Sequence, residues 1–441
     1  MTYDEARAFL EKAAGYGSRP GLESISQLLK RLDNPQDKLR IIHIAGTNGK
    51  GSTAAFTASI LACAGYKVGR FVSPAVYDKR ELIQLDHNCG DRVINSYITE
   101  EEIAQTLEPI KSTCEEMVRD GFSHPTVFEI ETAMAFLYFF RQQVDFAIIE
   151  TGMGGKLDAT NVVAKPVCCL ISSISMDHMQ YLGDTLEEIS RHKAGIIKKG
   201  VPVFTANTDS IITGVLKEAC TSMDTCLTIV SAENAIIHKR SIEGTSFEYK
   251  GHSYTIRLLG EHQISNALLA LEAAVNLKKQ GYEISQQAIE TGLQQARWRG
   301  RFEILAKKPY FIIDGAHNED AARKLASAIM TYLNGKRLIF IMGIFADKEY
   351  KKVLEIMAPF ADMIITITPP GNRALPSDVL AKEAANYFAG PIVDAGKVSA
   401  AVELAYKNAD SLDAIIAFGS LSFHQELSVF LNGFLHLNQK S

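Results

Sequence analysis

Apolar and polar residues alternate along this chain with two different periods. Short, almost unbroken apolar runs occupy residues 41–45, 68–73, 144–149, 167–172 and 201–206. Runs of that length without a polar side predict strands buried on both faces, as in a parallel sheet. Between them, residues 3–14 and 22–32 repeat apolar positions at helical spacing on either side of a Gly-rich turn, 15–21, and Asn34-Pro35 ends the second helix. Residues 99–120 predict a surface helix with a polar outer side, and 128–141 an apolar helix. Strand-helix alternation of this kind predicts an α/β fold, a mostly parallel sheet with helices on both faces. From about residue 228 to 258 the rhythm shortens, and Ser246-Phe247-Glu248-Tyr249 and Tyr254-Thr255-Ile256-Arg257 predict an antiparallel ribbon. After Arg297-Trp298-Arg299-Gly300-Arg301 the α/β rhythm restarts, with strands expected at 310–313, 337–343, 363–368 and 414–418. The 441 residues exceed what one core usually supports, so two domains are expected, 1–297 and 298–441, with the boundary near Trp298.

Composition changes this picture little. Apolar residues make up 46% and charged residues 22%, as in ordinary soluble proteins, and the net charge of -5 offers no basic field for nucleic acid or an anionic membrane. No apolar stretch is long enough to cross a bilayer, and the opening Met-Thr-Tyr-Asp-Glu-Ala-Arg has no leader pattern. The seven cysteines lack CxxC spacing, and Cys168-Cys169 sit inside an apolar run. Reduced thiols in a cytoplasmic protein are expected, without a cysteine metal site.

Chemistry enters at the first strand. Ile41 to Ala45 runs into Gly46-Thr47-Asn48-Gly49-Lys50-Gly51-Ser52-Thr53, followed by a helical run. A strand, a glycine turn and a helix N-terminus make an anion site: backbone N–H groups close on phosphate and Lys50 adds a point charge. A hydroxyl at Ser52 or Thr53 is then placed for Mg²⁺. The match to the general P-loop pattern is imperfect, because Gly51 stands where Ser or Thr is usual. The alternative is a glycine turn with no ligand.

Ligands of open α/β sheets bind beyond the carboxyl ends of strands. Four polar sites follow predicted strands: Ser73, Glu150 with its Gly154-Gly155 loop, Asp177-His178, and Asp314-Gly315-Ala316-His317-Asn318. Oxygen ligands and an imidazole around a phosphate loop are what one or two Mg²⁺ ions carrying ATP phosphates need. Each has a plainer reading. Glu150 alone is a solvated carboxylate, His178 a loop histidine, Asp314 and His317 a helix cap, Lys193 part of a basic face, and Trp298 packing at the seam.

Taken in order, these motifs resemble the folylpolyglutamate synthase/dihydrofolate synthase family of the Mur ligase superfamily. The resemblance covers nearly the whole chain: Gly21-Leu22-Glu23-Ser24-Ile25 to Asn34-Pro35, 46–52, Phe128-Glu129, 150–161, Asp177-His178, 192–196, Gly260-Glu261-His262-Gln263 with Asn266, Gly300-Arg301, 314–318 and Gly419-Ser420-Leu421. Gly-Lys-Gly-Ser looks like the folate branch, whereas murein ligases look like Gly-Lys followed directly by Ser or Thr. The resemblance implies a P-loop-containing Mur-ligase-like ATP domain with a smaller Rossmann-like C-terminal domain. It also implies a monomer that joins L-glutamate to a folate or dihydropteroate through an acyl phosphate. It places Thr47, Asn48, Gly49, Lys50, Gly51, Ser52, Thr53, Asn266, Arg301 and Asp314 at ATP. Ser52, Ser73 and Glu150 fall at one Mg²⁺, and Glu150, His178 and Lys193 at a second. His317 and Ser420 fall near the incoming glutamate, and Lys50, Lys193 and His317 are the catalytic candidates. Lys193 is implied to be carbamylated, its amine made reactive by burial beside cations such as His192 or Lys198. One segment departs: after Ser73-Pro74 the family usually has His and then Glu-Arg-Ile, where this chain reads Ala75-Val76-Tyr77-Asp78-Lys79-Arg80-Glu81-Leu82-Ile83.

Two other functions compete. A Mur-type ligase acting on a UDP-sugar peptide is disfavoured by Gly51 and by the lack of a recognisable UDP-binding domain ahead of the phosphate loop. A nucleotide-binding regulator is disfavoured by Glu150, His178 and Lys193 together, because nucleotide retention alone does not require them.

Overall fold

The computed structural model describes residues 1–17, 20–90 and 92–438, with only the backbone of 436–438. Ser18 and Arg19 of the expected turn and residues 439–441 of the second block lie outside the described residues. Eight strands form the large sheet: β1 (Ile41–Ala45), β2 (Val68–Phe71), β3 (Ile83–Cys89), β4 (Arg92–Tyr97), β5 (Phe146–Glu150), β6 (Cys168–Ile171), β7 (Val203–Thr205) and β8 (Leu227–Ile229). Their order is β4-β3-β2-β5-β1-β6-β7-β8. Pairing is parallel from β2 to β8, with β3 and β4 added antiparallel at one edge.

Alternation along the buried strands assigns residues to two cores. Ile42 and Ile44 of β1, with Phe146 and Ile148 of β5, face the helices Lys50–Cys63, His262–Lys279 and Gln286–Gln295. Ile41, Ala147 and Ile149 face the opposite way, against Glu100–Arg119 and Val127–Arg141. Four helices of this half begin with Thr-x-x-Glu capping boxes, Thr2/Glu5, Thr99/Glu102, Thr126/Glu129 and Thr185/Glu188, which satisfy N-terminal N–H groups from the side chains.

The ribbon is three-stranded, β9 (Ile236–Ser241), β10 (Gly244–Tyr249) and β11 (His252–Ile256), and Phe247, Tyr249, Tyr254 and Ile256 join the core of the phosphate-loop helix. Residues 227–229, where the pattern changes character, still extend the large sheet as β8. The second sheet comprises β12 (Glu303–Lys307), β13 (Tyr310–Ile313), β14 (Leu338–Met342), β15 (Met363–Ile367), β16 (Ile392–Gly396) and β17 (Ala414–Phe418), ordered β12-β13-β17-β14-β15-β16. Only the β12–β13 pairing is antiparallel. Helices Glu319–Tyr332, Tyr350–Met357 and Ser377–Ala384 pack on one face, and Val398–Asn408 and His424–Asn438 on the other. Among the described residues, no helix is long and apolar enough to cross a membrane.

Candidate active site between the two sheets

Strands of both sheets point their carboxyl ends into one cleft of about 670 Å³. Its floor is the turn after β1. Gly46 has φ +152°, and a Cβ there would run into the Ser172 hydroxyl. Thr47 and Asn48 donate backbone N–H groups to Ser173 O at 2.7 and 3.3 Å. Gly49, at φ +89°, caps the Lys50–Cys63 helix with no side-chain hydrogen bond. A Cβ on Gly49 would collide with Asn266 Oδ1. Where other helices use Thr and Glu, this one leaves its first turn open to an anion.

Above the turn, Lys50 Nζ lies 3.3 Å from Thr47 O and 3.6 Å from Glu150 Oε1. Glu150 ends β5 and is buried; burial pushes its carboxyl up to about 7, against the pull of Lys50 and Arg301. Its Oε2 is buried without a hydrogen-bond partner among the described residues. Lys193, 3% exposed, donates to Gly46 O at 2.8 Å. Burial first, and then the charge of Lys50, bring its ammonium down to about 7. The expected cationic neighbours, His192 and Lys198, are not the ones acting on it; Lys50 is. The Gly154-Gly155 loop, whose Gly155 lines the cleft, also packs on the helix that carries Lys193. A Cβ on Gly155 would lie 2.7 Å from His192 O, and one on Gly195 would lie 2.8 Å from Lys156 N. Those glycines let the loop and the Lys193 helix meet backbone to backbone, which fixes the lysine beside the phosphate turn.

Asp177 joins the two halves. It accepts from Lys348 Nζ at 3.1 Å and Asn318 Nδ2 at 3.2 Å, and His178 and His317 Nε2 each lie 3.9 Å away. Burial opposes its charge, but Lys348, His178 and His317 outweigh burial and hold the carboxyl below the usual range. Asn48 Nδ2 bonds Asp320 Oδ2 at 2.6 Å and Lys324 Nζ bonds Ser173 Oγ at 3.1 Å, so the halves also meet beside the phosphate turn.

On the small-sheet side, Asp314 is held by its own loop. Its two oxygens accept the N–H groups of Phe302 and Ala316, each at 2.8 Å. The Glu319–Tyr332 helix is capped by Asn318. His317 Nδ1 pairs with Gly315 O at 2.7 Å, and burial, then Lys348, bring its imidazole down to about 4. Ser420 Oγ accepts from Ser422 N at 3.2 Å.

Thr47, Asn48, Gly49, Lys50, Gly51, Ser52, Ser73, Glu150, His178, Arg301, His317 and Ser420 line the cleft. Asp314 lines a smaller pocket of about 40 Å³, shared with Arg301 and His262. Asn266 lies behind Gly49, bonded to Gln263 at 3.0 Å, and Gln263 reaches Ser52 Oγ at 3.3 Å. Thr53 is wholly buried, and Lys193 sits under the turn. Among the described residues, no three His, Cys, Asp or Glu side chains gather as a metal cluster. Reading the sequence missed Lys348, Phe345 and Arg373, which line the cleft from loops after β14 and β15. The strand-end rule reaches them once extended from the first strand of the second block to β14 and β15. The atypical loop after Pro74 is braced internally: Glu81 accepts the N–H groups of Val76 and Tyr77 at 2.8 and 3.1 Å. Tyr77 donates its hydroxyl to Glu303 at 2.8 Å, across to the second sheet.

Known proteins agree with this arrangement. The Mur ligase middle domain matches residues 44–274, and the Mur ligase glutamate ligase domain matches 300–421. The dihydrofolate synthase/folylpolyglutamate synthase of Bacillus subtilis is 36% identical over 370 residues, covering 82% of this chain and 84% of that protein. A probable bifunctional folylpolyglutamate synthase/dihydropteroate synthase of Halobacterium salinarum is 36% identical over 428 residues, 96% of this chain but 51% of that protein. The chain thus spans about half of that longer relative. The folylpolyglutamate synthase structure from Thermotoga maritima superposes with a TM-score of 0.81 at 32% identity, covering 98% of this chain and 96% of that one. Escherichia coli FolC in complex with DHPP and ADP gives 0.83 at 26%, covering 100% and 99%. With this similarity in sequence and in fold, the chain belongs to the folylpolyglutamate synthase/dihydrofolate synthase family of the Mur ligases.

Proposed function

We propose that this chain is an ATP-dependent ligase that joins the amine of L-glutamate to the carboxylate of a folate, of dihydropteroate, or of both, through an acyl phosphate. The observation that carries the reading is the meeting of Lys50, Glu150 and Lys193 at the phosphate turn with Arg301, His317 and Ser420 across the same cleft. A carboxylate is a poor electrophile. Transfer of the γ-phosphoryl group of ATP converts one oxygen into a leaving group, and attack by the amine then expels phosphate and forms the amide. Lys50 and the open helix terminus hold the triphosphate and offset its charge. Arg301 and Asp314 act at the nucleotide, with Asn266 setting the glycine turn beneath it. His317 and Ser420 orient the incoming amino acid.

The residues present fit Mg²⁺. Glu150 has a buried oxygen without a partner, beside the hydroxyl-bearing Ser52 and Ser73 of the same cleft. Ser52, Ser73 and Glu150 would hold one ion, and Glu150, His178 and a carbamylated Lys193 a second. Bound there, the ions neutralise charge on the phosphate oxygens. Carbamylation joins the neutral lysine nitrogen to the carbon of CO₂ and releases one proton, leaving a carbamate with carboxylate-like oxygens. The buried amine, brought down to about 7, supports that step. One chain supplies both walls of the cleft, which supports a monomer of two domains, 1–297 and 298–441. ADP release that requires both L-glutamate and either dihydropteroate or a tetrahydrofolate tests the reading. ATP binding with no such turnover across folates and UDP-peptides would refute it.

A further inference from the structure

Trp298, the sole tryptophan of the chain, has no part in the chemistry above, yet it touches the phosphate loop. A Cβ placed on Gly51 would lie 3.0 Å from its Nε1, 2.7 Å from its Cε2 and closer still to Cζ2. Gly51 sits in the first helical turn, between Lys50 and Ser52, so what it provides is room rather than an unusual backbone angle. The Arg70 guanidinium stands over the indole, 5.4 Å from the ring centroid. Arg70 is itself buried and fixed by Asp86, with Nε and Nη2 at 3.1 and 3.0 Å. Ahead of Trp298, the Gln286–Gln295 helix is pressed against the same phosphate-loop helix, since a Cβ on Gly292 would lie 2.7 Å from Ile60 N. The segment is therefore docked on that helix at Gly292 and again at Trp298. Immediately beyond, the backbone passes through left-handed angles at Gly300 (φ +68°) and Phe302 (φ +43°), with Arg301 between them lining the cleft.

We propose that Trp298 is a positioning residue for nucleotide binding. Its indole sets the register between the first turn of the phosphate-loop helix and the linker that delivers Arg301, and Gly51 is the space it occupies. This rests on the reading of the cleft as a nucleotide site. A side chain at position 51 must push the ring away, shifting Lys50 and Ser52 on one side and Arg301 on the other, and a smaller residue at 298 leaves both ends unregistered.

The test is a double-mutant cycle on the full-length chain, with ADP affinity measured by calorimetric titration and melting temperature as the check of folding. Gly51→Ala alone is expected to weaken ADP binding about tenfold. In a Trp298→Ala background the same change should cost little more, and Trp298→Phe should keep most of the wild-type affinity. Tryptophan emission of the unmutated protein reports only this residue, and it should change when ADP is added. Additive effects of the two substitutions, wild-type ADP affinity in Trp298→Ala, or emission indifferent to bound ADP would each overturn the proposal. If Trp298→Ala does not fold, Trp298→Phe and the emission of the unmutated protein decide it. Failure of the unmutated protein to bind ADP overturns this proposal and the nucleotide site together. ADP binding without glutamate-dependent turnover removes the ligase reading alone and leaves the cycle to decide the role of Trp298.

Discussion

On the large-sheet side of the cleft, Glu150 and Lys193 are buried with few groups to balance their charges. On the small-sheet side, Asp314 is half-buried, and both of its oxygens accept backbone N–H groups. Burial raises the carboxyl pKa of both acids. In Glu150 an oxygen is left without a partner, and a buried polar atom without a partner is costly unless a ligand completes it. In Asp314 both oxygens hold the backbone of Phe302 and Ala316, so the carboxylate serves as a bracket for the loop that carries Arg301 and His317. The difference separates chemistry from alignment: Glu150 is left incompletely satisfied, and Asp314 keeps its loop in place.

Substitutions of Lys50 and Lys193 should therefore cost turnover and spare the fold, whereas loss of the Asp314 carboxylate should cost stability first. The largest loss is expected from Lys50→Ala, about 10³-fold in glutamate-dependent ADP release, with a circular-dichroism melt close to the parent's. Near-parental turnover in a folded Lys50→Ala protein would remove the phosphate-loop assignment. Lys193→Ala should fall by about 10²-fold or more, and a short carboxylic acid added to this variant should restore part of the rate by supplying the missing oxygens. Absence of rescue, with a crystal structure showing an unmodified lysine facing solvent, would count against the carbamate.

Asp314→Ala sharpens the comparison from the other side. It leaves two partly buried N–H groups without their acceptor, so unfolding in urea should show a stability loss of about 2 kcal/mol. An inactive Asp314→Ala enzyme of unchanged stability would break the distinction between the walls. The smallest effect is expected at the seam. Tyr77→Phe removes one partly buried hydroxyl bond to Glu303, about 1 kcal/mol by the same measurement, and a loss several times larger would mean that the loop after Pro74 holds the second sheet in place.

Much of this was readable from the letters, for physical reasons. Tyr310–Ile313 and Ala414–Phe418 fall where the apolar runs predict them, because central parallel strands are buried on both faces. The hairpin of β3 and β4 was not read. Gln84 and Asp86 are buried polar residues there, satisfied by Asn95 and Arg70, and they erase the alternation that marks an edge strand. β16 was missed because Ile392-Val393-Asp394-Ala395-Gly396 is a half-buried edge with a charged residue in it. At the site, the phosphate turn and the strand-end residues could be named because glycine and charge beside an apolar run are local signals. The pairing of Asp177 with Lys348 joins positions 171 residues apart and has no local signal.

The close approach of Gly51 and Trp298 also constrains how such a chain can change over time. A hydroxyl-bearing residue at position 51 meets the indole and must move it, so a change at one position bears on the other. Relatives with Ser or Thr at the first of these places are expected to carry a smaller side chain, or a displaced linker, at the second. An aligned set in which a bulky residue at 51 commonly accompanies tryptophan at 298 would contradict that joint history.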